Sequence, residues 1–122
     1  VVANDDVRRR FVEAALRQQF VGDARVAIVV CANFDEIGKK YGERGTDLYC
    51  LQDVAAAVQN MLLTAVDLGL GACWVGAFDE TAVALALDLP RNLRPVAIVP
   101  IGYADEAPER QTVRDDDVHV VE

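Results

Sequence analysis

Three glycines bracket the chain's single tryptophan in the segment Gly69-Leu70-Gly71-Ala72-Cys73-Trp74-Val75-Gly76-Ala77-Phe78. Glycine has no Cβ, so backbone built around it can be approached closely by a flat ring or a phosphate. Recognition of that kind uses main-chain N–H and C=O groups rather than reactive side chains. Trp74 sets an aromatic face beside them. The competing reading is a packed strand with glycines at its bends, and the residues alone leave both open.

Other residues offer less chemistry. Asp79-Glu80 could be mistaken for a catalytic acid pair, but a helix N-terminus accounts for both, because negative charge is favoured there. Asp115-Asp116-Asp117 reads as a solvated run, and Tyr41 and Tyr49 either border a pocket or anchor a loop. The three cysteines, Cys31, Cys50 and Cys73, are odd in number and lack metal-ligand spacing. Cys31 and Cys73 lie in apolar, strand-like runs, where a free thiol behaves as a small buried hydrophobe. Structural thiols in a reducing compartment are expected. His119 is the only histidine, and without companion ligands it makes no metal site. No catalytic acid, base or nucleophile is assigned.

Composition narrows the class. With 122 residues, 52% of them hydrophobic, the chain is expected to be a single domain, 1–122, with one core. Its net charge of −8, from 20 acidic and 12 basic residues, argues against nucleic acid, whose binding needs cations facing phosphate. The same acidity suits an ordinary acidic protein or one adapted to high salt. No apolar run approaches the roughly 20 residues of a membrane span, and no signal peptide is visible. A soluble, cytoplasmic protein is expected.

The elements around the glycine segment follow from periodicity. Asn4, Asp5 and Asp6 can cap a helix running to about Gln19, with Val7, Phe11, Ala14 and Ala15 as its apolar stripe. Val21-Gly22-Asp23 is expected to break it. Arg25 to Ala32 reads as a strand whose continuous apolar run suggests a central position covered on both faces. A polar loop punctuated by Gly38, Gly42 and Gly45 leads to the longest element, a helix from Asp47 to Leu68 that Gly69 stops. Ala72 to Val75 is a short strand, and Asp79 caps a helix through about Leu87. Leu93 to Ile101 is the last core strand, broken at Gly102. Residues 104–122 are a charged, proline-bearing tail, in which Val118 to Val121 suggests a strand that must find an edge, on this or another subunit. Gly69-x-Gly71 precedes a strand, whereas a Rossmann loop follows one, so a simple nicotinamide domain is excluded.

As a linked series these residues resemble the flavin-dependent nitroreductase family. The match runs through Gln52-Asp53-Val54-Ala55-Ala56-Ala57-Val58-Gln59-Asn60-Met61-Leu62-Leu63, then Gly69-Leu70-Gly71 and Cys73-Trp74-Val75-Gly76-Ala77-Phe78. It closes with Leu89-Pro90 and Arg94-Pro95-Val96-Ala97-Ile98-Val99-Pro100-Ile101-Gly102-Tyr103. The Tyr41-Gly42-Glu43-Arg44-Gly45 segment and the Val26 to Cys31 strand also fit.

The resemblance implies an α+β fold, a mostly antiparallel sheet flanked by helices, built as an intertwined homodimer with FMN at the interface. It implies that Trp74, Val75, Gly76 and Ala77 line the isoalloxazine ring, with main-chain amides near its N5 and O4 edge, where they would favour the negative charge of reduced flavin. Arg110 and Arg114 would match the C-terminal basic position that meets the FMN phosphate. The long helix would be the dimer core, and Val118 to Val121 the arm added to the partner's sheet. The implied reaction takes hydride from NADH or NADPH and delivers it to a small-molecule acceptor (a nitroaromatic, quinone or enone) by a ping-pong route in which the cofactor carries the chemistry. Dehalogenation, flavin fragmentation or a flavin-binding, dimerising module without turnover are the alternatives on this scaffold. The family's arginine- and serine-rich phosphate segment and its Asn-x-Gln-Pro flavin contact have no counterpart in these 122 residues. A member that is incomplete or reduced at its N-terminus is therefore expected.

Overall fold

The two long apolar runs pair with each other. In the computed structural model, which describes residues 1–106, Val26–Asn33 forms β1 and Leu93–Gly102 lies antiparallel to it as β3. Gly71–Ala72, β2, adds to the far edge of β3, giving the order β1-β3-β2. Val2 bridges Ala27 on the outer side of β1. β1 is packed on both faces as expected, but the central place belongs to β3, whose Ala97, Ile98 and Val99 are wholly buried. The register runs evenly from Val26↔Ile101 to Val30↔Ala97, then slips so that Cys31 faces Pro95. Pro95 has no N–H to give the ladder, and the extra residue, Val96, falls beside it as a bulge.

Among the described residues five helices flank the sheet: α1 (Asp5–Ala14), α2 (Phe20–Asp23), α3 (Phe34–Arg44), α4 (Cys50–Asp67) and α5 (Glu80–Ala86). Alternate strand residues point to opposite faces, and each face has its own core. Ile98 and Ala27 meet Phe11, Ala15, Val21 and Val83 from α1, α2, α5 and their connections. On the other face Ala97 and Val99 meet Cys50, Val54 and Val58 of α4. The expected α+β class, an antiparallel sheet flanked by helices, is what the chain adopts. No helix among the described residues is long and apolar enough to cross a membrane.

Three boundaries differ from expectation. Asn4 caps α1, its Oδ1 accepting from the Val7 N–H at 3.1 Å, but the helix stops at Ala14 rather than Gln19. Leu16 and Arg17 are left-handed (φ 55° and 62°), and one distant and one nearby partner take the last carbonyls. The Asp79 N–H donates to the Ala14 oxygen at 2.8 Å, and Gln18 Nε2 to that of Ala15 at 2.9 Å. Val21-Gly22-Asp23, expected as a break, lies within α2. The expected loop before the long helix is instead α3, with Phe34 and Ile37 packed on the α4 core. Gly42 still kinks it (φ 59°). A π-turn, Gly45–Tyr49, joins α3 to α4, and only glycine fits at 45, where a Cβ would lie 2.8 Å from the Ile37 oxygen.

The thiols divide. Cys50 is buried and its Sγ donates to the Thr46 carbonyl at 2.9 Å, Cys31 is half-buried, and all three cysteines are free. Burial pushes the Cys31 thiol up, keeping it protonated. Cys73 departs from the expected buried hydrophobe: it is exposed on the sheet edge.

Asp79 caps α5 as expected, accepting from the Ala82 N–H at 3.0 Å. Glu80 has a different partner. Its carboxylate makes a two-pronged pair with Arg94 on β3, at 2.7 and 2.8 Å, and this hydrogen bonding holds its carboxyl below the ordinary value of 4.5. A depressed carboxyl stabilises the fold fully above the unfolded value, and that contribution is lost as pH falls through the folded one. Both side chains are nearly half exposed, so the pair is worth at most about 1 kcal/mol. In urea unfolding Glu80→Gln should cost no more than that at pH 7, and the two proteins should converge once acid protonates Glu80.

Candidate functional site

Beyond β2, the glycine segment is held to the sheet at one residue. Val75 is buried and exchanges both ladder hydrogen bonds with Ile98, at 2.9 and 3.0 Å. The expected strand Ala72 to Val75 is thereby split into β2 and this single bridge. The pairings Ala72↔Ile101 and Val75↔Ile98 share one register, which places Cys73 opposite Pro100. Proline offers no N–H, so the ladder is weakened there. Main-chain groups alternate sides along a strand. With Val75 bonded to β3, the N–H groups of Trp74 and Gly76 face the open edge. Among the described residues, nothing accepts a hydrogen bond from either.

The far end of the segment is tied down as well. Phe78 packs against the core between α1 and α5, and the Asp79 N–H bonds to α1 as described. Between the anchors the Ala77 carbonyl accepts a long bond from Gln18 Nε2, at 3.4 Å. Trp74 is 39% exposed, and Gly76 and Ala77 are exposed with it. Of the four residues expected to line a ring, three present themselves on this edge and Val75 serves as their anchor. Arg110, Arg114 and the Val118 to Val121 strand lie outside the described residues.

The three glycines have three different reasons to be glycine. Gly69 has φ +70° and ends α4 in a two-bond turn, with Leu70 N–H on the Ala65 carbonyl and Gly69 N–H on that of Val66. At Gly71 a Cβ would stand 3.0 Å from the Ala104 Cβ, a tight approach that a side chain could occupy only if Ala104 gave way by a few tenths of an ångström. Gly76 has neither constraint. Its φ lies outside the left-handed region, and among the described residues a Cβ would meet only Trp74 Nε1, at an ordinary 3.8 Å. The described residues thus leave the space above Gly76 clear, and their packing does not require glycine there. That clearance, two outward amides and a half-exposed indole fit a planar group bearing acceptor atoms on its edge, as flavin does.

Sequence reasoning missed Arg8. It is only 6% exposed and sits on the core side of α1, at the head of an i, i+3, i+4, i+7 series with Phe11, Val12 and Ala15. That spacing was the available signal, an arginine on the apolar stripe. Its guanidinium is held by the Asp5 carboxylate at 2.5 Å and by the Ala3 carbonyl, while among the described residues Nε has no partner.

The chain is similar in sequence and in fold to known proteins. A provisionally named nitroreductase of Methanocaldococcus jannaschii is 31% identical over 101 residues, covering 83% of this chain and 50% of that one. The NfrA1 structure from B. megaterium superposes with TM-score 0.81 at 27% identity, covering 99% of this chain and 55% of that one. An FMN-dependent nitroreductase of Clostridium difficile R20291 shares the fold, with TM-score 0.73 at 23% identity over 96% of this chain and 67% of that one. This chain spans between 50% and 60% of the length of the curated relatives it matches. The family model described as Nitroreductase family matches residues 2–103, and over that span the chain belongs to the nitroreductase family.

Proposed function

We propose that the protein is an FMN-dependent oxidoreductase that uses NADH or NADPH to reduce a small acceptor such as a nitroaromatic, quinone or enone. The observation that carries this reading is the clear space at Gly76 beside the outward amides of Trp74 and Gly76. Bound FMN would supply hydride acceptance and donation, so two substrates can alternate at one open site. The chain's part is orientation. Val75, fixed in the core, sets the height of the edge, and the Trp74 and Gly76 N–H groups offer two donors to a ring edge. Donors held by a sheet need no rearrangement when charge develops beside them. Trp74 supplies an apolar wall that keeps water from one side. Arg110 and Arg114 are the residues proposed to meet the phosphate.

A second copy of the chain is part of the proposal. The outward face of α4 exposes Leu63 and Val66 (59% and 74%) beside Ala56, and covering such a face is favourable. The reading is tested by adding FMN, removing the excess and following the visible spectrum, with sedimentation reporting the dimer. A protein that retains no flavin contradicts it.

A further inference from the structure

A polar cleft of about 570 Å³ opens between α1, α2 and the start of β1, lined chiefly by Asp5, Arg8, Arg9, Gln19, Asp23 and Arg25. Three guanidiniums meet two carboxylates here, in a chain whose acidic residues outnumber its basic ones by 20 to 12. Arg8 forms the floor. It is more than nine-tenths buried, and among the described residues two of its five N–H donors are engaged and Nε, which is closed to solvent, has no partner. A buried guanidinium with spare donors is costly unless something completes its shell. Asp5 completes part of it, from a side chain that is itself 72% exposed. An exposed carboxylate on a buried arginine fork occupies the place that an incoming oxyanion would take.

We propose that this cleft binds a phosphate-type oxyanion, free or carried by a small organic molecule, with Arg8 as its fixed base, Arg9 and Arg25 as its exposed arms and Asp5 as the internal group it displaces. Guanidinium forks match phosphate in geometry, and charge-assisted bonds of this kind are strong. Arg9 and Arg25 are exposed, so they can close on a ligand without disturbing the core. The cleft is larger than the ion needs and within the range of small-molecule sites, which leaves room for an organic remainder. The inference is independent of the flavin reading.

The test titrates inorganic phosphate, and separately adenosine 5′-monophosphate, against sodium chloride at matched ionic strength, following the melting temperature and phosphorus NMR. Phosphate should raise the melting temperature beyond chloride. The double variant Arg9→Ala/Arg25→Ala, altered only at exposed positions, should lose about tenfold or more in affinity. Asp5→Asn should gain affinity by removing the competing carboxylate. Tighter binding of the nucleotide assigns the remaining volume to an organic group, and equal binding assigns the site to the free ion. Phosphate acting no differently from chloride overturns the proposal. So does phosphate binding that the double variant retains in full, because that binding lies elsewhere.

Discussion

Gly76→Val should weaken FMN binding about 10- to 100-fold while changing folding stability by no more than about 0.5 kcal/mol. The first figure is the 1–3 kcal/mol cost of forcing extra methyl groups into a filled contact. The second is the usual size of a surface substitution away from core, cap or strain. The separation follows from what surrounds Gly76: no left-handed φ, and, apart from its two chain neighbours, no atom of the described residues nearer than 3.8 Å to the added Cβ. Gly71→Val is the contrasting control. There the Cβ would press on Ala104 at 3.0 Å, so the added side chain should act first on the chain's own packing, by displacing Ala104. Flavin fluorescence titration gives the affinities and thermal melts the stabilities. An unchanged flavin affinity for Gly76→Val would remove the main support for a ring at this edge.

The largest loss of stability is expected from Phe11→Ala. Phe11 is wholly inaccessible and packs in the cluster that contains Val21, Val75, Val83 and Ile98. Removing a buried phenyl ring costs about 3–5 kcal/mol through lost transfer energy and the cavity left behind. A domain holds only about 5–15 kcal/mol in total, so the variant should keep its fold with a much lower urea midpoint and a similar slope. The consequence reaches the site because Val75, its anchor, belongs to the same cluster. A loss below about 1 kcal/mol would mean that α1 does not seal this face of the sheet as described.

Much of this arrangement was legible in the residues. Asn4 and Asp79 announced their helices, Gly69 its stop, and the apolar runs at Val26 and Leu93 their strands. What escaped was decided by distant parts of the chain. Ala15-Leu16-Arg17-Gln18-Gln19 contains good helix formers, and α1 ends before them because Asp79, more than sixty residues away, takes the Ala14 carbonyl. α3 was hidden because Gly38, Gly42 and Gly45 look like loop punctuation. Yet Gly45 is glycine for close packing, and Phe34 and Ile37 supplied the helical spacing. The central role of β3 over β1 is a matter of strand order, which apolarity alone does not encode. At the site, the glycines marked the segment to look at, and the expectation of main-chain recognition there is carried into the proposed function. The segment's division of labour required coordinates, because a helix stop, a close approach and a clear space all appear as the same letter. The resemblance to nitroreductases supplied the ring that the clear space could hold.

The most direct test loads the protein with FMN, removes the excess, and records the visible spectrum anaerobically before and after adding NADH or NADPH. A flavin band that is retained and then bleaches with either nucleotide is the predicted result. No retained band, or a retained band that neither nucleotide bleaches, would contradict the assignment of a flavin oxidoreductase.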